Sequence, residues 1–217
     1  MASIRVVLVD DHELVRTGVR RILDDASGIT VVAEASSGEQ AVAEANAHKP
    51  DVVLMDIHMP GIGGIEATRK ILRATPKTKV IALTVHGDKP YAVQLLKGGA
   101  QGFLTKGCPA DAVIKAIRAV HAGQRYVGSD VAQDLALSLL PGSADSPFDN
   151  LSQREMQVLL MLTEGQSVQE ISDRLCLSPK TVSTYRYRLY DKLDVENDVE
   201  LIRLAISHGI IEGMRSA

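Results

Sequence analysis

At four places in the chain a short apolar run ends on a polar or charged residue. Ile4 to Val9 ends on Asp10 and Asp11, Val52 to Met55 on Asp56, Val80 to Leu83 on Thr84, and Gly102 to Thr105 on Lys106. Runs this short, rich in β-branched residues and separated by segments of helical periodicity, read as buried strands of a parallel sheet with crossover helices. The strands are expected at Ile4 to Asp10, Thr30 to Ser36, Val52 to Asp56, Val80 to Thr84 and Gly102 to Lys106. Between and after them, helices are expected at Glu13 to Asp25, Gly38 to Ala47, Ile65 to Ala74, Tyr91 to Lys97 and Pro109 to His121.

Five such units give an α/β fold, a flavodoxin-like (βα)5 domain with strand order 2-1-3-4-5. In sheets of this kind the ligand crevice lies at the carboxyl ends of the strands, so the polar residues that end separate runs converge there. Asp10, Asp11 and Asp56, the Thr84 hydroxyl and the Lys106 ammonium would share that crevice. Crowded carboxylates repel one another, and a hard divalent cation is their natural neutraliser. Mg²⁺ fits best, because it needs few protein ligands and works beside phosphoryl groups. A carboxylate held there can act as a nucleophile on phosphorus, with Lys106 and Thr84 meeting the charge on the phosphoryl oxygens. His12 and His86 are placed on loops near the crevice, with surface or hydrogen-bonding roles rather than ligation.

A length of 217 residues suits two domains, each able to bury a core. No apolar stretch is long enough to span a bilayer, and the N-terminus enters a charged strand directly, so cytoplasmic residence without membrane attachment is expected. The two cysteines, Cys108 and Cys176, fall in different predicted domains and read as reduced thiols. A formal net charge of -3 argues against a broadly basic nucleic-acid binder, leaving only a local stripe for that purpose.

After Tyr126 the alternation stops. Val131 to Leu140 has the spacing of a short helix, and Pro141 to Pro147 has linker composition, which divides the chain into a domain at 1–125, a linker at 126–147 and a second domain at 148–217. The second domain reads as four helices. Ser152 and Glu155 form a capping box ahead of Met156, Leu159, Leu160 and Leu162, Val168 to Leu175 follows, and Thr181 to Leu193 starts behind a Ser178 cap with Pro179 in the first turn. Glu200 to His208, ended by Gly209, is the fourth, with Leu201, Leu204, Ala205 and Ile210 as a candidate dimer surface. Two short helices joined by a tight turn make a helix-turn-helix. On the third helix Val182, Tyr185, Leu189 and Leu193 face inward, leaving Lys180, Thr181, Ser183, Thr184, Arg186, Tyr187, Arg188 and Lys192 outward. That set mixes phosphate-contacting cations with short groups suited to base edges.

The residues Asp10-Asp11, the run Asp56-Ile57-His58-Met59-Pro60-Gly61, Thr84 and Lys106 resemble the receiver domain of two-component response regulators. The resemblance implies that Asp56 is the phosphoacceptor, that Asp10 and Asp11 bind Mg²⁺ together with Asp56 and the His58 carbonyl, and that Thr84 and Lys106 sense and pair with the phosphoryl group. It makes Phe103 the rotating aromatic switch, drawn inward with Thr84 on phosphorylation. Gly107 departs from the Pro found in many receivers. The segments Leu151 to Glu155, Glu170-Ile171-Ser172, Leu177 to Val182 and Lys192-Leu193 resemble the LuxR-type DNA-binding domain. Together the two domains are similar to the NarL/FixJ class and, through Val9 to Arg16, Met59 to Gly64, Leu83 to His86 and Ser183 to Arg188, to its GacA/UvrY group. What this implies is a DNA-binding transcriptional regulator, not an enzyme. Its partners would be a BarA/GacS-type sensor histidine kinase, double-stranded promoter DNA, a second copy of itself when phosphorylated, and RNA polymerase, with small regulatory RNA genes as targets. The alternative is a phosphorylation-independent adaptor that forms heterodimers with another regulator.

Overall fold

The computed structural model describes residues 3–59, 61–84, 95, 98–129, 132 and 147–208. The chain forms two compact units, 1–137 and 138–217.

The first unit holds a six-stranded sheet in which every pairing is parallel. Its strands are β1 (Ile4–Val9), β2 (Ile29–Ala35), β3 (Val52–Asp56), β4 (Lys79–Thr84), β5 (Gly102–Thr105) and β6 (Tyr126–Val127), in the order β2-β1-β3-β4-β5-β6. The α/β order expected from the apolar runs is present. It gains a sixth member, because Tyr126 and Val127 pair with Gly102 and Phe103 of β5 where a linker was expected to begin. Two residues are too few to leave a run in the sequence.

Helices α1 (Glu13–Asp24), α2 (Gly38–His48), α3 (Gly63–Ala74) and α4 (Ala110–His121) cover the sheet. Alternate residues of each strand point to opposite faces. Val6, Leu8, Leu54, Ile81 and Leu104 therefore pack with Leu23 of α1 and with Val113, Ile117 and Val120 of α4. Val7, Val9, Val53 and Met55 pack on the other face with Ala41 and Ala45 of α2 and with Ala67 and Ile71 of α3. Burial on both faces is why the strands read as unbroken apolar runs. The expected helix at Tyr91 to Lys97 lies outside the described residues except for Leu95, which is helical and buried. The expected helix at Val131 to Leu140 lies outside them except for Ala132.

In the second unit a 3₁₀ turn (Pro147–Asn150) leads into α5 (Gln153–Thr163), α6 (Val168–Leu175), α7 (Pro179–Leu193) and α8 (Asp198–Ser207). Phe148, Met156, Leu159, Ile171, Val182, Leu189, Leu201 and Ala205 form its buried interior. Each helix begins on a polar side chain that accepts a backbone N–H three residues on: Ser152 from Glu155, Ser167 from Glu170, Ser178 from Thr181 and Asn197 from Glu200. Such a cap satisfies one of the donors that every helix start leaves open. Two residues of the candidate dimer surface, Leu201 and Ala205, are wholly buried in their own unit and cannot form an external face. Val199 and Ile206 are the exposed apolar positions of α8, while Gly209 and Ile210 lie outside the described residues.

Candidate functional site

The loop from β1 to α1 delivers Asp10, Asp11 and His12, the end of β3 delivers Asp56, the end of β4 delivers Thr84, and Lys106 follows β5. Parallel pairing sets these ends side by side. Met55 is level with Val9 and with Ala82, Asp56 with Leu83, and Thr84 with Thr105. The Lys106 N–H donates to the Thr84 carbonyl at 2.6 Å, carrying the ladder one residue beyond β5.

The side chains of Asp10 and Asp56 are 1% exposed, and Lys106 Nζ lies 2.8 Å from Asp10 Oδ2 and 2.8 Å from Asp56 Oδ2. One ammonium thus bridges two buried carboxylates. Asp56 Oδ1 accepts the His58 N–H at 3.1 Å, and Asp10 Oδ1 accepts the His12 N–H at 2.9 Å. His12 is drawn into the cluster as well, its Nδ1 lying 2.9 Å from Asp11 Oδ1. Ligand atoms of Asp10, Asp11, His12 and Asp56 all lie within 4.8 Å of one another. His12 was expected on a loop near the crevice in a surface or hydrogen-bonding role, and its ring is 64% exposed beside Asp11; His86 lies outside the described residues.

Burial pushes the Asp56 carboxyl up to about 6. Lys106 pulls it back through hydrogen bond and charge, the Asp10 carboxylate adds to the rise, and the His58 N–H opposes it. For Lys106 burial alone would favour the neutral amine, but the carboxylates of Asp10 and Asp56 outweigh it and hold the ammonium above its ordinary range. Asp10 Oδ2 and Asp11 Oδ1 are buried without an aligned hydrogen bond, although Asp10 Oδ2 faces the Lys106 ammonium at 2.8 Å and Asp11 Oδ1 lies 2.9 Å from the His12 ring nitrogen. Hard oxygen ligands in excess of local positive charge are the donor set that suits Mg²⁺. The acidic cluster fits that ion.

Glycine serves close packing beside Asp56. A Cβ on Gly64 would stand 1.8 Å from the Asp56 carbonyl oxygen, and the Gly64 N–H donates to the Ile57 carbonyl at 3.1 Å. The first turn of α3 therefore presses on the strand end that carries Asp56. Arg16, to which the sequence reading gave no role, anchors the other loop by donating to the Asp10 carbonyl at 2.9 Å and to Glu34 Oε2 at 3.1 Å. Its spacing from Arg20, one turn on along α1, was the available signal. Phe103 is 1% exposed in mid β5, so the ring expected to swing inward as part of the switch is already buried.

On α7, Lys180, Thr184, Tyr187 and Arg188 are exposed, with Thr181 and Ser183 half-buried beside them. Tyr187 is 66% exposed and stands edge-on to Tyr190 at 6.1 Å. The two remaining members of the expected outward set are engaged within the unit. Arg186 binds Asp198, and Lys192 Nζ lies 2.7 Å from Glu155 Oε2 and 3.2 Å from the Asn150 carbonyl oxygen. Their carboxylate partners come from α8 and α5, beyond the reach of a reading confined to one helix.

Comparison with known proteins places both units. Residues 6–118 match the response regulator receiver domain, and residues 149–205 match the bacterial regulatory proteins of the luxR family. UvrY of Escherichia coli K12 is 56% identical over 208 residues, which is 95% of this chain and 95% of that protein. GacA of Pseudomonas aeruginosa PAO1 is 53% identical over 210 residues, 96% of this chain and 98% of that protein. Among solved structures, the RcsB response regulator of Salmonella typhimurium superposes with a TM-score of 0.73 at 27% identity, covering 95% of this chain and 98% of that one. An RcsB–DNA complex gives 0.59 at 28% identity, covering 94% and 98%. A receiver-type acidic crevice in one unit and a LuxR-type helical fold in the other, joined in one chain that matches such proteins along nearly all its length, make this protein a member of the two-component response regulators of the UvrY and GacA kind.

Proposed function

We propose that this protein is a cytoplasmic transcription regulator switched by phosphorylation of Asp56. One Asp56 carboxylate oxygen attacks the phosphorus of a phosphohistidine on a BarA/GacS-type sensor kinase. The P–N bond breaks, the kinase imidazole keeps its electron pair, and the phosphoryl group passes whole to Asp56. Asp56 is ionised for this at neutral pH, since its raised value of about 6 still lies below 7. Asp10, Asp11 and Asp56, with the His58 carbonyl, hold Mg²⁺, which when bound supplies positive charge to the phosphoryl oxygens. Lys106, already 2.8 Å from Asp56 Oδ2, pairs with those oxygens from the other side, and the Thr84 hydroxyl donates to them. Phe103 acts as a buried packing partner whose surroundings change with Thr84.

In the second unit α7 enters the major groove of double-stranded promoter DNA. Lys180 and Arg188 meet phosphates, while Thr181, Ser183, Thr184 and Tyr187 meet base edges and the thymine methyl group. One such helix covers a half-site, so a homodimer forms on a two-fold repeat once Asp56 is phosphorylated, where it recruits RNA polymerase to small regulatory RNA genes. The observation that carries this reading is the gathering of Asp10, Asp11, Asp56 and Lys106 into one crevice. Selection of genomic fragments by the purified chain, with and without acetyl phosphate and Mg²⁺, tests it. Enrichment of a two-fold repeat dependent on the phosphodonor is expected; the same dependence in Asp56→Ala would overturn the reading.

A further inference from the structure

Arg186 stands near the middle of α7 and does not reach outward. Its Nε donates to Tyr190 Oη at 2.7 Å and to Asp198 Oδ1 at 2.9 Å, and its Nη2 donates to Asp198 Oδ2 at 2.6 Å. Tyr190 Oη in turn donates to Asp198 Oδ1 at 2.6 Å, and the guanidinium carbon lies 5.6 Å from the Tyr190 ring centroid. The side chains of Arg186 and Asp198 are both 35% exposed, and it is the two-point fork closed by the Tyr190 hydroxyl that sets them apart from a single-contact surface pair. Asp198 is the first residue of α8, directly after its Asn197 cap.

From this geometry we infer that Arg186, Tyr190 and Asp198 lock the recognition helix against the start of α8, and that Arg186 serves DNA binding as a positioning residue rather than as a phosphate contact. The inference rests on the DNA-binding reading above. The fork with Asp198 takes the side-on donors of Arg186, Nε–H and one Nη2–H, so a phosphate would be left only the donors at the end of the guanidinium. Taking Arg186 onto DNA would strand the Asp198 carboxylate beside a polyanion, leaving a half-buried charge unpaired. Kept together, the pair is neutral and releases no counterion. Lys180 and Arg188 differ, being exposed and without an ion pair among the described residues.

Counterion release separates the two roles, because each phosphate contact contributes about 0.9 to the slope of log K against log salt. The test uses the full chain with acetyl phosphate and Mg²⁺, a fluorescent duplex carrying the fragment recovered by genomic selection, and a salt series. Lys180→Ala and Arg188→Ala should each lower the slope by about one. Arg186→Ala and Asp198→Asn should each weaken binding about tenfold with the slope unchanged, and the double variant should be no weaker than either single one. Tyr190→Phe keeps the ring and removes the hydroxyl, so it reports on the lock even if Arg186→Ala fails to fold; a smaller loss at unchanged slope is expected. A slope lowered by about one in Arg186→Ala together with tighter binding by Asp198→Asn would overturn the inference, since Asp198 would then be masking a phosphate contact. Wild-type affinity in both Asp198→Asn and Tyr190→Phe would overturn it too. If the wild-type chain bound no DNA at any salt, the DNA-binding reading itself would fall, and the lock with it.

Discussion

The two units solve opposite electrostatic problems. In the crevice of the first, two carboxylates and an ammonium are drawn out of water, and Asp56 is driven up to about 6. Three helices that leave the crevice loops, α1, α3 and α4, start without any side-chain cap hydrogen bond. In the second unit all four helices begin on a side-chain cap, and the charges of α7 are either exposed or paired. The first site carries unfavourable charge that a cation would relieve. The second is satisfied on its own and presents a finished surface. A switch belongs in the strained unit and a reader in the settled one.

The sharpest break of that contrast is chemical. Asp56→Ala should abolish uptake of a phosphoryl group from acetyl phosphate, read as the mass gained by the intact chain. Lys106→Ala should still accept it but about a hundredfold more slowly, because the charge on the transferring oxygens is then met from one side only. Equal rates in Lys106→Ala and wild type would mean that the ammonium serves only the resting structure.

Stability sharpens the comparison next. Asp56 has a folded-state value of about 6 against an ordinary 3.8. A group raised in this way favours folding below its unfolded value, and that contribution is lost as pH rises through about 6. Asp56→Asn should therefore stabilise the first unit by about 2 kcal/mol at pH 7.5, and the gain should shrink toward pH 5, in denaturant melts of the two proteins side by side. No difference at pH 7.5 would show the crevice to be relaxed as it stands. Mg²⁺ should act in the same direction on the wild-type chain, adding about 1.4 kcal/mol at a tenfold excess over its Kd. Its effect on Asp11→Ala should be far smaller, and calorimetric titration would show an equal Kd if Asp11 is not a ligand.

What was legible in the sequence follows the same divide. Strands buried on both faces leave unbroken apolar runs, so β1 to β5 and the residues at their carboxyl ends could be read directly, and with them most of the crevice. The starts of α5 and α7 were readable because caps are local, one side chain answering an N–H three residues away. Contacts between elements left no such trace. Nothing in the sequence marks Gly64 as the point where α3 closes on the Asp56 carbonyl. Arg186 reads as an outward residue until Asp198, twelve residues on, is seen to hold it. Periodicity shows which face of a helix is polar, but not whether a neighbouring helix has already engaged it.

The smallest effect tests whether the second unit owes its order to local chemistry. Ser178 Oγ accepts the Thr181 N–H at 3.1 Å, at the turn that sets the entry angle of α7. Ser178→Ala should lower the stability of that unit by about 1 kcal/mol, the ordinary worth of such a cap, in its own unfolding transition. Uptake of a phosphoryl group by Asp56 should be unchanged, since nothing in the crevice is built from that turn. Affinity for DNA should fall no more than a few-fold, because Pro179 still fixes the first turn of the helix. A change in the rate of phosphoryl uptake would instead mean that the reader feeds back on the switch, and that the electrostatic division drawn between the two units does not extend to their function.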